Sequence, residues 1–236
     1  MKRLAIVALV LLGTPQGVPY VLSSSPSNLL AQGKATLRIY LARHGQTDGN
    51  LKGIAQGWTD TPLNDTGREQ AMALAERLRG VELDAIYSST LTRSRTTAET
   101  VAAGRKKVKV TSLPGLREVG LGKWENVALN DPIMKTRPPA DKRGPEDGES
   151  GAQVDERVAA AVKEILNRHR KGTILIVGHA GANGYILSHL LDMTRQELAK
   201  QGQFVQDNDE LYLVERTAGF PPRVFKFIAP GKFNQL

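Results

Sequence analysis

From residue 37 onward, apolar side chains recur with two alternating periods, one near 2 and one near 3.6, and these predict the elements. Leu37-Arg-Ile-Tyr-Leu-Ala42 is rich in branched and aromatic residues and predicts a short buried strand. Over 66–80, Ala71, Leu74, Ala75 and Leu78 share one helical face; Thr66 reads as N-cap, Glu69 as capping-box partner and Gly80 as the stop. Asp84–Tyr87 reads as a strand, 91–103 as a helix and Val108–Leu113 as a third strand. The rhythm then breaks. Residues 121–150 are rich in Pro, Gly and alternating charge, which predicts an irregular insertion rather than core. A long helix follows over 152–170, with Val154, Val158, Ala161, Val162, Ile165 and Leu166 as its core stripe. Thr173–Val177 is the most strand-like run, 181–191 is again helical, and 211–214 with 224–228 predict a terminal hairpin. Strands alternating with helices predict an α/β fold, a three-layer α/β/α sandwich around a mostly parallel sheet. It forms one domain over 36–236, without internal repeats.

The first 35 residues read differently. Met1-Lys-Arg3 is basic, Leu4–Leu12 is an unbroken apolar run of nine, and a Ser/Pro/Gly-rich stretch continues to Gln32. That is the layout of a secretory signal peptide. Nine residues span only about 14 Å as a helix, against roughly 30 Å of bilayer. Ser23 and Ala31 are candidates for the last residue removed, and no Cys follows the apolar run to carry a lipid. The expectation is an exported protein, periplasmic or extracellular, with no stable membrane span after processing.

Composition narrows the chemistry. The 236 residues include 32 Lys and Arg, 24 Asp and Glu, four His and no Cys. Disulfides, thiolate metal sites and a cysteine nucleophile are thereby excluded. Removing 1–35 takes away Lys2, Arg3 and Lys34 and lowers the net charge from +8 to +5. A basic balance suits nucleic acid, an anionic surface or a phosphorylated substrate. The run Arg105–Lys109 lacks the interleaved aromatics of a single-strand reader and reads as a solvated loop, so no nucleic-acid partner is expected. Neither a His-Glu-x-x-His nor an Asp-rich strand end is present, and no metal or other cofactor is expected.

Two of the four histidines stand where a predicted strand ends. Arg43-His44-Gly45 follows the first strand and Gly178-His179-Ala180-Gly181 follows the run at 173–177. In open parallel sheets, ligands bind beyond the carboxyl ends of strands. The strand at 84–87 brings Arg93 to the same edge, and the strand at 108–113 leads to Glu118. Two His, two Arg and one Glu converging from four strand ends make a site for a dianion. His169 reads as a helix C-terminal dipole partner and His189 as a packed or surface residue.

These residues resemble the histidine phosphatase superfamily, in its phosphoglycerate-mutase-like branch (branch 1). The resemblance rests on Leu41-Ala-Arg-His-Gly-Gln-Thr-Asp-Gly-Asn50, Gln56-Gly-Trp-Thr-Asp-Thr-Pro-Leu63 and Ser88-Ser-Thr-Leu-Thr-Arg93. It continues through Leu116-Arg-Glu118, Gly122-Lys-Trp-Glu125, Gly148-Glu-Ser150 and Val177-Gly-His-Ala-Gly181, in family order from 37 to about 215. The resemblance implies a phosphoglycerate-mutase-like fold and a metal-independent phosphomonoester hydrolase of histidine acid type. It also implies that His44 is the nucleophile forming a phosphohistidine, with Arg43, Arg93 and His179 clamping the phosphoryl oxygens. Glu118 is the implied proton donor, with Glu125 its rival, and Asn50 is an implied phosphate-site residue that positions the His44 loop. Asn126 stands where the family usually has Gly or a small apolar residue. The 121–150 insertion, with Lys123, Arg137, Lys142 and Arg143, is expected to lie over the site and select a small anionic or sugar phosphate.

Three other functions compete. A cofactor-dependent phosphoglycerate mutase needs a bisphosphate primer, which an exported protein would not meet. A non-catalytic phosphate-binding or interaction module would not need all five working residues. A serine hydrolase is suggested by Gly148-Glu-Ser150-Gly-Ala152, but that run misses the final Gly and the preceding strand of a nucleophile elbow. No self-complementary surface is legible, so no oligomeric state is expected in advance.

Overall fold

The apolar run at Leu37 forms strand β1 (Thr36–Arg43) in the computed structural model of the protein, which describes residues 34–201, 206–229 and 232–235. The expected leader lies outside the described residues except for Lys34 and Ala35. After β1 come α1 (Asp48–Leu51), α2 (Asp65–Arg77), β2 (Ala85–Ser88), α3 (Thr92–Ala102) and β3 (Val110–Ser112). Then follow α4 (Gly151–Arg168), β4 (Gly172–Gly178), α5 (Ala180–Leu190) and α6 (Arg195–Gln201). The chain closes with β5 (Leu211–Thr217), β6 (Arg223–Ala229) and β7 (Lys232–Gln235).

One sheet holds all seven strands in the order β3-β2-β4-β1-β5-β6-β7. β3, β2, β4 and β1 run parallel, while β5, β6 and β7 alternate in direction along one side. Because successive side chains leave a strand on opposite faces, β1 feeds two cores at once. Leu37, Ile39 and Leu41 pack with Val154, Val158, Val162 and Ile165 of α4 and Ile186 and Leu190 of α5. Tyr40 and Ala42 face the other way, toward Leu74 and Leu78 at α2 and Ala98 and Val101 of α3. The fold is therefore the three-layer α/β/α sandwich that the alternating periods predict. Among the described residues no helix is long and apolar enough to cross a membrane.

Three local expectations are corrected. Helix α2 is capped by Asn64 and not Thr66: the Asn64 side chain accepts from Gly67 N–H at 2.9 Å while its amide donates to Gln46 at 3.0 Å. A tertiary partner thus selects which of two polar residues starts the helix. The same helix ends at Arg77, before Gly80, because Leu78 turns inward and is fully buried as its C-cap. Arg105 is not part of a solvated loop. Its guanidinium holds the carbonyls of Val101 (3.0 Å), Val81 (2.7 Å) and Leu78 (2.5 Å), which ties the end of α3 to the end of α2.

Residues 121–150 are irregular, as expected, with single 3-10 turns at 122–124, 132–136, 140–142 and 145–147. They nevertheless have an interior of their own. Trp124 is buried, and its indole N–H meets the carboxylate of Asp147 at 3.4 Å, which Lys123 also pairs at 2.9 Å.

Candidate active site

The parallel register decides which loops meet. β1 and β4 pair so that Arg43 lies opposite Gly178, and the next residue of each strand is a histidine. His44 N–H donates to the Gly178 carbonyl at 3.0 Å, and the rings of His44 and His179 stand 5.0 Å apart, tilted by 59°. β2 pairs with β4 through Ser88 and Val177, so the turn after β2 delivers Ser89 and then Arg93 at the start of α3. The loop after His44 is pressed against α2. A Cβ on Gly45 would lie 2.3 Å from the Gly67 carbonyl oxygen, and one on Gly67 would lie 1.9 Å from that of Gln46. Only paired glycines permit this approach.

His44 is 2% exposed, and its Nδ1 lies 2.7 Å from the Gly45 carbonyl. A carbonyl oxygen only accepts, so Nδ1 carries the hydrogen and Nε2 keeps its lone pair. Thr97 accepts from Gly45 N–H at 3.1 Å and Asn208 donates to the His44 carbonyl at 2.6 Å, holding the loop from both sides. Burial, reinforced by the guanidinium of Arg93 and then of Arg43, holds the imidazole well below its ordinary range despite the Gly45 bond. His179, fully buried, is depressed in the same way by burial, then by His44, Arg93, Arg43 and Arg157. Both rings are therefore neutral at pH 7.

The arginines are held by backbone carbonyls. Arg93, 1% exposed, donates to Thr59 O and Gly57 O, both at 2.8 Å, and Arg43 donates to Gln206 O at 3.0 Å. Burial lowers the pKa of each guanidinium, and the charge of Glu118 opposes that in both. Buried polar atoms nearly always have partners. Here Arg43 Nε, Arg93 Nε and His179 Nδ1 have none. Three buried nitrogens of one cationic cluster are thus without partners.

Both candidate carboxylates are near, in different settings. Glu118 accepts from Val119 N–H and Ala182 N–H on Oε1, both at 2.9 Å, and from Gly181 N–H on Oε2 at 3.1 Å. It therefore occupies N-terminal donors of α5, the helix whose N-cap is His179. Glu125 accepts from Trp58 N–H (2.8 Å), Leu121 N–H (3.1 Å) and the Thr59 hydroxyl (3.0 Å). It organises the loop whose carbonyls hold Arg93. Asn50 closes a capping box with Thr47 across α1, accepting from Thr47 N–H at 3.1 Å, and so shapes the chain just beyond His44. Asn126 has φ of 65°, a left-handed conformation that Gly and Asn tolerate best, so the departure from the family residue is conformationally conservative.

Two of the insertion's cations are engaged within the protein. Lys123 pairs with Asp147 and Glu146, and Arg143 donates to the carbonyls of Pro138 and Glu149, so neither is directed at a ligand. Arg137 retains two buried nitrogens, Nε and Nη2, without partners. The segment reaches the site through Glu125 and through Asn126, whose amide donates to Thr59 at 3.1 Å. Ser150 is the N-cap of α4, in a capping box with Gln153. His169 caps the end of α4 and meets the Tyr87 hydroxyl at 2.8 Å, while His189 pairs with Asp155 at 3.0 Å.

Several neighbours of the site escape sequence reasoning. Ser89 bonds His179, Asn183 accepts from His179 N–H at 3.2 Å, and Gln206 joins Asn183 at 2.6 Å. Arg157 grips Glu149 with two nitrogens and also holds the carbonyls of Gly115, Arg117 and Glu118. Asn183 alone had a local signal, one helical turn after His179. Among the described residues no group of three or more His, Asp or Glu is arranged to hold a metal ion.

The α/β sandwich thus gathers cations and unpartnered buried nitrogens at the carboxyl edge of its sheet. Residues 39–224 match the histidine phosphatase superfamily (branch 1), and the chain belongs to that family. It is 33% identical to "Probable phosphoglycerate mutase GpmB" of Salmonella arizonae, over 66% of this chain and 76% of that protein. It is also 33% identical to "Broad-specificity phosphatase YOR283W" of Saccharomyces cerevisiae, over 73% and 75% of the two chains. Other relatives are named as phosphoserine phosphatases. The solved structure of Bacillus stearothermophilus YhfR superposes with a TM-score of 0.68 at 32% identity, covering 83% of this chain and 97% of that one.

Proposed function

We propose that the protein is a metal-independent phosphomonoester hydrolase of the histidine acid type, working through a phosphohistidine at His44. The observation that carries this reading is the state of His44. Its Nδ1 is committed to the Gly45 carbonyl, which leaves the Nε2 lone pair as a nucleophile beside two arginines. Nε2 attacks phosphorus and the P–O bond to the leaving alkoxide breaks. The alkoxide takes a proton from Glu118; water then attacks the phosphohistidine as Glu118 takes a proton from it, the P–N bond breaks, and His44 is freed with release of inorganic phosphate. Arg43 and Arg93 hold the charge on the equatorial oxygens. Glu125 orients the Arg93 loop, and Asn50 shapes the turn that presents His44.

The test uses a generic aryl phosphate with and without chelator, beside His44→Ala. Chelator-insensitive hydrolysis, inhibition by vanadate, an acid-labile phosphoryl label on residue 44 and loss of activity in the variant are expected. Hydrolysis that survives loss of His44 overturns the mechanism.

A phosphoglycerate mutase is the second reading, favoured by the names of relatives such as GpmB. Phosphoryl transfer between phosphoglycerates that requires bisphosphoglycerate would establish it. The substrate we propose is a small anionic or sugar phosphomonoester. The reading draws support from relatives named as phosphoserine phosphatases and from a solved neighbour named glucosyl-3-phosphoglycerate phosphatase, 27% identical with a TM-score of 0.63. Equal kcat/KM for charged and neutral phosphomonoesters would exclude it. Export to the periplasm or beyond is proposed from Met1-Lys-Arg3 and Leu4–Leu12, and the N-terminal sequence of protein recovered from the producing cells tests it.

A further inference from the structure

Ser89 is fully buried in the turn after β2, and its hydroxyl oxygen lies 2.6 Å from His179 Nε2 and 3.1 Å from the N–H of Leu91. A serine hydroxyl has one hydrogen to give and two lone pairs to accept with. The Leu91 N–H takes one lone pair, which leaves two arrangements for the contact with His179.

If Nε2–H donated to Ser89, the hydroxyl would accept twice and its own hydrogen would face no acceptor. His179 Nδ1, buried and without a partner, would then present a lone pair to any anion, where a donor is needed. If instead Ser89 donates to Nε2, the hydroxyl is satisfied on both sides and Nδ1 carries the hydrogen. The protonated ring is disfavoured by full burial and by His44, Arg93, Arg43 and Arg157; Glu118, bonded to the N–H groups of Gly181 and Ala182, is a neighbouring carboxylate. Those are the charged and titratable groups on β1, α3, α4 and the Glu118 turn that face it.

We propose that Ser89 is a positioning residue that fixes His179 as the neutral Nδ1–H tautomer, making it an uncharged hydrogen-bond donor to a phosphoryl oxygen. His179 then differs from its neighbours in kind. Arg43 and Arg93 supply charge, whereas His179 supplies a directed donor whose proton the reaction does not move. The assignment of a role in turnover rests on the His44 reading; the assignment of the tautomer does not.

Two measurements test it. Long-range ¹H–¹⁵N correlation spectra of ¹⁵N-histidine-labelled protein read the tautomer of His179 directly, with His179→Asn identifying its signals. Nδ1 protonated and Nε2 bare near neutral pH is expected. An Nε2–H or doubly protonated ring in the wild-type protein overturns the proposal, whether or not Ser89 variants fold. For turnover, Ser89→Ala is expected to lower kcat about 10- to 100-fold, since outer-shell partners of a working histidine carry that order of effect, while KM stays within about threefold. The variant's His179 signal should become a mixture of tautomers. Ser89→Thr, which keeps the hydroxyl, should restore the Nδ1–H form and most of kcat. A folded Ser89→Ala protein with wild-type kcat overturns the positioning role. If His44→Ala stays active, the phosphohistidine mechanism at His44 fails while the tautomer result still stands.

Discussion

Replacing Glu118 by glutamine separates a proton donor from a structural carboxylate. The substitution keeps the shape but gives one end of the side chain two N–H hydrogens. Oε1 serves two backbone donors, Val119 and Ala182, and Oε2 serves only Gly181. The amide therefore places its oxygen on the Val119–Ala182 side and turns its NH2 toward the Gly181 N–H, donor against donor. One lost bond to a buried donor costs about 1–3 kcal/mol. At roughly 2–4 °C per kcal/mol for a chain of this size, Tm should fall by about 2–12 °C. The chemical effect is larger and depends on the substrate. A general acid contributes about 10²–10⁴-fold when the leaving group is a poor one, such as an alkoxide. A nitrophenolate leaves without a proton, so its hydrolysis should fall less than about tenfold, the cost of misplacement alone. The assay is kcat/KM of Glu118→Gln for an alkyl phosphate and for a nitrophenyl phosphate, against wild type. An equal loss on both substrates would show that Glu118 is not the donor. A leaving-group-dependent loss in Glu125→Gln would transfer the role to Glu125, which here should lower both substrates by one factor because it acts through Arg93.

Three further outcomes follow from the same contacts. The depressed imidazoles of His44 and His179 imply a stability that is complete above about pH 6.5, the unfolded histidine value, and lost as the pH falls toward their folded values, because the unfolded chain then binds more protons. Thermal unfolding from pH 8 to 5 should show Tm declining below pH 6.5, with a smaller decline in His179→Asn; an unchanged slope would contradict the neutral assignment. Glu215, 2% exposed, bridges Arg38 at 3.1 Å and Arg223 at 2.6 Å across β1, β5 and β6. Both arginines are partly exposed, so Glu215→Ala should cost about 1–3 kcal/mol by chemical denaturation, without a change in KM. Arg157→Lys removes the fork that holds Glu149 and three carbonyls, including that of Glu118, and should lower kcat by about tenfold or more while vanadate still binds.

The strands and helices were legible because their signal is local. Side chains two apart along β1 must suit opposite cores, and the stripe on α4 must face the sheet, whatever the rest of the chain does. Boundaries were less legible where a distant partner intervened, as Gln46 did for Asn64 and the two carbonyl-lined turns did for Arg105. His44, His179, Arg43, Arg93 and Glu118 could be read because each stands at a strand end or in the segment that follows one, and a parallel sheet sends its strand ends to one edge. The cations of the insertion could not be placed. Whether Lys123 meets a ligand or Asp147 depends on a turn that local propensity does not encode.

Chain order and periodicity alone were enough to establish the class of fold, the sheet edge where the two histidines meet and the residue types gathered there. What they left open was the protonation of each group, since that depends on which atom of a ring or carboxylate meets which partner. The register of β1 against β4 sets the two imidazoles 5.0 Å apart. The Gly45 carbonyl then assigns the hydrogen of His44, and three N–H groups from two separate segments engage Glu118. These contacts close across as many as 135 residues, where no short-range pattern reaches, and a hydrogen bond is decided within a few tenths of an ångström. Composition places the cations on the chain; packing decides which of them remain unpaired for an anion.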